Sequence, residues 1–176
     1  MLDGRVVVIK RYNMKSALHW LRRCWRPSRA WASWRNAHWL ELLGLQTPAP
    51  IAFLEMRCGP LRRRAYYVSD FIDGESVLNA LNRREPSAHE IAELHNYFAI
   101  AASDRLIHGD MKATNFLLHE EQLFILDLDA MREEKNPRRW QRLFRRDCER
   151  FRRNFQPRAW LNALERFVTQ LLERRS

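Results

Sequence analysis

No stretch of about 18 or more consecutive apolar residues occurs in this 176-residue sequence, so a membrane-spanning helix is not expected. The N-terminus lacks the apolar core of a secretion signal. Cysteine is scarce and odd in number: Cys24, Cys58 and Cys148 stand far apart with no Cys-x-x-Cys pairing, so neither a disulfide framework nor a zinc site is indicated. The expected setting is a reducing, cytoplasmic one, with room for a peripheral position on the inner membrane. No internal repeat or low-complexity linker divides the chain.

What is present is charge of one sign. The formal net charge of +10 is carried almost wholly by arginine, and it concentrates anions around the protein. Nucleic acid, an acidic membrane surface and a phosphosugar all meet that preference. No nucleic-acid recognition motif accompanies the charge, so nucleic acid is not expected as a partner. A composition of 46% hydrophobic and 11% aromatic residues suits one sizeable core or two small lobes sharing an interface.

Arg5 to Arg11 (Arg-Val-Val-Val-Ile-Lys-Arg) reads as a short buried strand ending in a cation, after an Asp3-Gly4 turn signal. Lys15 to Leu45 is helical in pattern and breaks near Pro27-Ser28, where Ser28 caps a helix stopped by Gly44. Ala30, Trp34, Ala37 and Leu40 fall on one face of that helix. Trp20, Trp25, Trp31, Trp34 and Trp39 interleave with Arg22, Arg23, Arg26, Arg29 and Arg35. That pattern fits either a packed helix with snorkelling arginines or a surface lying on anionic lipid.

Strands are expected at Ile51 to Met56 and Ala65 to Ile72, with a turn at Cys58-Gly59-Pro60 between them. A helix starts near Ser76, and a second is capped by Ser87 with Glu90 three residues on. Beyond Ala130 the pattern is helical and basic, with Trp140, Leu143, Phe144, Phe151, Phe155, Trp160, Leu164, Phe167 and Leu171 as its core positions. The order gives a small β-containing N-terminal lobe and a helical C-terminal lobe.

Chemistry concentrates in Ile107-His108-Gly109-Asp110-Met111-Lys112-Ala113-Thr114-Asn115 and in Leu126-Asp127-Leu128-Asp129. Phe116 to Leu118 and Leu123 to Leu126 have the spacing of an antiparallel hairpin, which sets Asn115 opposite Asp127, about 5 to 6 Å apart between Cα atoms. Two converging oxygen ligands suit Mg²⁺, which takes few protein oxygens and fills its shell with phosphates and water. Asp110 is placed to accept or orient a hydroxyl proton, and Lys112 to neutralise a transferring phosphoryl group. His108 is expected to brace the loop and not to act as a base.

At these residues the sequence resembles the protein kinase-like superfamily: His108 to Asn115 matches the catalytic loop, and Asp127-Leu128-Asp129 stands where a kinase has Asp-Phe-Gly. The resemblance implies an α+β, protein kinase-like bilobal fold with a truncated N-terminal β lobe (1–75) and a helical C-terminal lobe (76–176), together one domain. It implies Asp110 as the catalytic aspartate, Asn115 and Asp127 as Mg²⁺ ligands, Lys10 on the ATP phosphates, and Tyr66 to Gly74 as the hinge beside the adenine. Ser-Arg-Ala-Trp, Trp-Arg-Asn-Ala-His, Gly-Leu-Gln-Thr-Pro-Ala-Pro and Ala-Phe-Leu-Glu within Ser28 to Glu55, and Asp127 to Arg132, are similar to bacterial lipopolysaccharide kinases that phosphorylate Kdo or heptose of the inner core. That likeness implies a lipid-linked sugar or other anionic acceptor, met at an anionic inner-membrane surface.

Three features depart from the pattern. Ser33 stands where such a kinase has the helix glutamate that pairs with the strand lysine, and Asp129 replaces a glycine. Nine residues precede Lys10, so no glycine-rich phosphate loop lies upstream of it: either the chain starts late in a longer protein or nucleotide is held under a reduced lid. Two other outcomes stay open at this stage, a kinase-like protein with a protein or small-molecule acceptor, and a catalytically inactive kinase fold serving as a membrane-associated scaffold.

Overall fold

A computed structural model describes residues 4–12, 27–58 and 61–173, without the side chains of residues 58, 61 and 62. The tryptophan and arginine positions of the 15–26 stretch, Asp3 of the first turn signal, and Gly59-Pro60 lie outside the described residues. Three strands form the first layer: β1 (Val7–Tyr12), β2 (Pro50–Cys58) and β3 (Leu61–Asp70), antiparallel in the order β1-β3-β2. Helix α1 (Arg29–Leu42) covers one face of this sheet. Side chains alternate across a strand, so Val8, Lys10 and Tyr12 share the face of β1 that looks inward.

The caps of α1 fall where the sequence placed them. Ser28 Oγ accepts the Trp31 N–H at 2.9 Å. At the other end Leu45 N–H reaches the Leu40 carbonyl at 2.9 Å and Gly44 N–H the Glu41 carbonyl at 3.0 Å, a Schellman stop around Gly44 at φ +73°. The buried face is less apolar than expected. Ser33 and Asn36 join Ala30, Ala37 and Leu40 on it, while Trp34 is only partly covered.

The second layer begins with β4 (Glu75–Ser76), α2 (Val77–Arg83) and α3 (Ala88–Ser103). Ser87 and Glu90 close a reciprocal capping box at the start of α3, with bonds of 3.2 and 2.9 Å. The hairpin β6 (Phe116–His119) and β7 (Gln122–Ile125) pairs with β4 in the order β4-β6-β7. Its register is a correction to the sequence expectation. Phe116 pairs with Ile125, so Asn115 stands opposite Leu126, and Asp127 lies one residue further on. The offset arises because the second apolar run is one residue longer than the first, 123–126 against 116–118; the loop itself tightens from the four residues expected to two, Glu120-Glu121 at φ +49° and +64°, without changing the register.

A second departure follows Ala130. The chain first forms β8 (Arg132–Glu133), paired with β5 (Leu106–Ile107), before α4 (Pro137–Arg152) and α5 (Ala159–Glu173) begin. These two-residue strands clamp both ends of the chemistry-bearing segment together. Among the described residues no helix is long and apolar enough to cross a membrane.

The main core sits under the hairpin. Phe151 packs edge-on against Phe116, Phe98 and Phe144 meet the same cluster, and Trp140 stacks on Phe144 with centroids 5.0 Å apart. A smaller cluster, Tyr12, Ala30, Ala65 and Tyr67 with Trp34 and Phe53, joins sheet and α1. Phe144 is fully buried. Its replacement in Phe144→Ala is expected to cost about 3–5 kcal/mol, read as a lower midpoint in urea unfolding; a loss under 1 kcal/mol would mean the cluster is not a packed core.

Candidate active site

A cleft of about 250 Å³ opens between the sheet and the hairpin. Val8, Lys10 and Tyr12 of β1 line one wall, with Tyr67 and Ser69 beside them on β3. These are cross-strand neighbours, Lys10 opposite Tyr67 and Val8 opposite Ser69. Asn115, Leu126, Asp127 and Leu128 line the other wall. Lys10, Asn115 and Asp127, selected from the sequence, therefore face one space despite the shifted register.

Asp127 adopts φ 59°, ψ 51°, a left-handed conformation that aspartate tolerates better than most side chains. Side chains from three other elements fix the backbone around it. Thr47 Oγ1 donates to the Ile125 carbonyl at 2.8 Å, and Asn36 Nδ2 donates to the carbonyls of Leu128 at 2.7 Å and Met131 at 2.8 Å. His108 Nε2 lies 3.1 Å from the Leu126 carbonyl. Burial keeps the His108 imidazolium unfavourable and its pKa below the ordinary value, so it donates as a neutral ring. The expected bracing role of His108 fits this contact.

The loop before Asn115 is held from the helical layer. Gly109, at φ +84°, packs so closely on Ala130 that a Cβ there would sit 2.9 Å from the Ala130 Cβ. Gly109 N–H donates to buried Asp147 at 2.8 Å. Arg150 donates to the Gly109 carbonyl at 3.2 Å and to Asp110 Oδ1 at 2.6 Å, while Lys112 Nζ reaches Asp110 Oδ2 at 3.0 Å. Asn115 Nδ2 donates to the Asp110 carbonyl at 2.8 Å, which leaves its Oδ1 as the amide's acceptor.

Partial burial acts to raise the Asp110 pKa, but the Lys112 hydrogen bond, then the charges of Lys112 and Arg150, outweigh it and hold the carboxyl below its usual range. Such an anion is a weak base and a firm orienting acceptor. On the opposite wall Lys10 forms an ion pair with Asp127, and Arg29, at the start of α1, forms one with Asp129. Burial tends to lower the Lys10 pKa, and the bond to Asp127 together with the charges of Tyr12, Asp127 and Asp129 more than reverses it.

Sequence reasoning missed Tyr12, Arg29, Asn36, Thr47, Asp147 and Arg150. A signal existed for two of them: Asn36 and Asp147 are polar residues at helical spacing within otherwise apolar faces, beside Ala37 and Leu40 and between Phe144 and Phe151.

The RIO domain profile matches residues 25–166. The chain belongs to the RIO domain family. No curated protein matches the sequence. Among solved structures, WaaP in complex with acyl carrier protein is similar over 97% of this chain and 82% of its own, at 20% identity and a TM-score of 0.56. The Rio2 kinase–ADP/Mg²⁺–phosphoaspartate complex from Chaetomium thermophilum is similar over 83% of this RIO chain and 48% of its own, at 20% identity and a TM-score of 0.54. The α+β kinase-like fold and the kinase-like enzyme family read from the catalytic-loop residues are thereby established, as is the resemblance to lipopolysaccharide core kinases at the level of fold.

Lys112→Met removes the foremost contact lowering the Asp110 pKa, so that pKa is expected to rise toward 3.8. A depressed carboxyl stabilises the fold above its ordinary pKa and loses that contribution as pH falls through the folded value. The acid-unfolding midpoint of the variant should therefore move to higher pH. An unchanged Asp110 titration by NMR would show that Lys112 does not act on it.

Proposed function

We propose that this RIO-domain chain is an ATP-dependent phosphotransferase acting on an alcohol, and that its acceptor is a sugar, Kdo or heptose, of the lipopolysaccharide inner core. The observation that carries the reading is the convergence of Lys10, Asn115 and Asp127 on one cleft, with Asp110 on the loop that ends at Asn115. Lys10 would bind nucleotide phosphates. The donor set on the facing wall, an amide oxygen left unshared and a carboxylate, is all oxygen and fits Mg²⁺. That ion, held by Asn115 and Asp127, would supply charge neutralisation on the phosphates.

Asp110, anchored by Arg150 and Lys112, orients the acceptor hydroxyl and takes up its proton late. A weak base suffices because phosphoryl transfer through a loose transition state depends mostly on positioning. Lys112 is exposed enough to turn from Asp110 toward the transferring group. The acceptor assignment draws on the sequence resemblance to lipopolysaccharide kinases, on the fold likeness to WaaP and on the arginine-borne positive charge. Exposed Arg142, Arg145, Arg146 and Arg153 around α4 suit an anionic glycolipid at the inner membrane face.

A second reading, a silent kinase fold acting as a membrane-associated scaffold, is favoured by one contact: Lys10 and Asp127 neutralise each other directly. A Mg²⁺-ATP thermal shift separates the two, since binding to the folded state raises the melting temperature. The proposed enzyme shifts and Asp127→Ala does not. Asp110→Ala is expected to reduce ATP-dependent labelling of core oligosaccharide by about 10²–10⁴-fold with nucleotide binding kept. Undiminished labelling would end the proposed mechanism, and labelling of protein acceptors alone would replace the sugar.

A further inference from the structure

Lys10 is reached by no carboxylate of α1. The sole acid of that helix, Glu41, pairs with His38 at 2.9 Å. At the buried position facing β1 stands Ser33, whose Oγ lies 3.0 Å from the Tyr12 hydroxyl. Tyr12 shares the inward face of β1 with Lys10, two residues away, and its ring is buried among Ala30, Ala65 and Tyr67.

Two cations meet that ring. Lys10 Nζ lies 5.6 Å from its centroid and Arg29 Cζ 4.9 Å. Each cation also pairs with a different carboxylate beyond β7, Lys10 with Asp127 and Arg29 with Asp129. The phenol itself stays neutral, because burial raises its pKa.

We propose that Tyr12 is the positioning residue of this site: its ring, fixed by packing among Ala30, Ala65 and Tyr67, holds the Lys10 ammonium and the Arg29 guanidinium in register with Asp127 and Asp129, in place of a helix carboxylate. For Lys10 the proposal rests on the phosphotransferase reading above. A ring face attracts a cation through its quadrupole without cancelling its charge. Lys10 therefore keeps a full positive charge for phosphate oxygens once Asp127 is engaged by a metal ion, whereas a paired glutamate would offset it. Arg29 ties the start of α1 to Asp129 at the same time, so sheet, helix and metal-side loop share one anchor.

The test holds ring size nearly constant and weakens its quadrupole. Position 12 is replaced by phenylalanine and by mono-, di- and trifluorophenylalanine in the full chain. Two quantities are read: the dissociation constant for Mg²⁺-ATP, and the ¹³Cε resonance of Lys10 in nucleotide-free protein. The latter is assignable by its loss in Lys10→Arg because the chain has four lysines, Lys10, Lys15, Lys112 and Lys135. Tyr12→Phe should stay within about twofold of the wild type, and each added fluorine should weaken nucleotide binding, reaching about three- to tenfold in the trifluoro variant. The Lys10 resonance should move stepwise toward that of a solvent-exposed lysine over the same series.

A merely structural ring would leave both quantities flat across the series at equal melting temperature, and that result overturns the proposal. If the wild type binds no Mg²⁺-ATP, the phosphotransferase reading fails by itself. The Lys10 resonance then still decides Tyr12, a graded shift supporting the ring's hold and a flat one refuting it.

Discussion

The site depends on one backbone conformation held against its own preference. A left-handed aspartate costs of order 1 kcal/mol or more relative to a relaxed strand, and Asp127 adopts it where β7 ends. It persists because carbonyls on both sides of it are tied to donors from elsewhere in the chain: Thr47 in the connection from α1 to β2, Asn36 within α1, and His108 in the loop after β5. Each neutral bond is worth about 1 kcal/mol net, and an orphaned buried carbonyl would cost more. The sum exceeds the local strain, so the carboxylate is delivered to the cleft by packing and not by propensity.

Charge is then arranged around that fixed point. Asp110 sits between Lys112 and Arg150, and Asp127 and Asp129 each face a cation from the other wall. Contacts of this kind at partly exposed positions add little to stability. Their value is orientation: they hold three carboxylates, Asp110, Asp127 and Asp129, in place while the protein's overall positive charge draws anions toward it.

The helix caps, the three N-terminal strands and the aromatic core were legible because each rests on a local rule: a capping serine, a glycine at positive φ, short β-branched runs, apolar spacing of 3.6; the burial expected of the first strand was not met, since Val6, Val8 and Ile9 are exposed. The segment that carries Asp110, Asn115 and Asp127 stood out because it places polar residues at fixed offsets around apolar runs. The hairpin register was misread because the two apolar runs differ in length, 116–118 against 123–126, and the tight loop was hidden because Glu-Glu is a poor advertisement for two residues at positive φ, a role usually given to Asn-Gly. Strands β5 and β8 were missed because two residues carry no period. Tyr12 and Arg29 were hidden for another reason: their partners lie 21 and 100 positions away in sequence, and nothing local announces a contact of that range.

The close approach of Gly109 to Ala130 binds two distant positions into a single steric allotment. A side chain at position 109 would collide with Ala130 and would sit at a positive φ that favours glycine. Any redesign of this fold that seeks a side chain at position 109 must first lift that loop away from Ala130, and would thereby lose the hydrogen bond from Gly109 to Asp147.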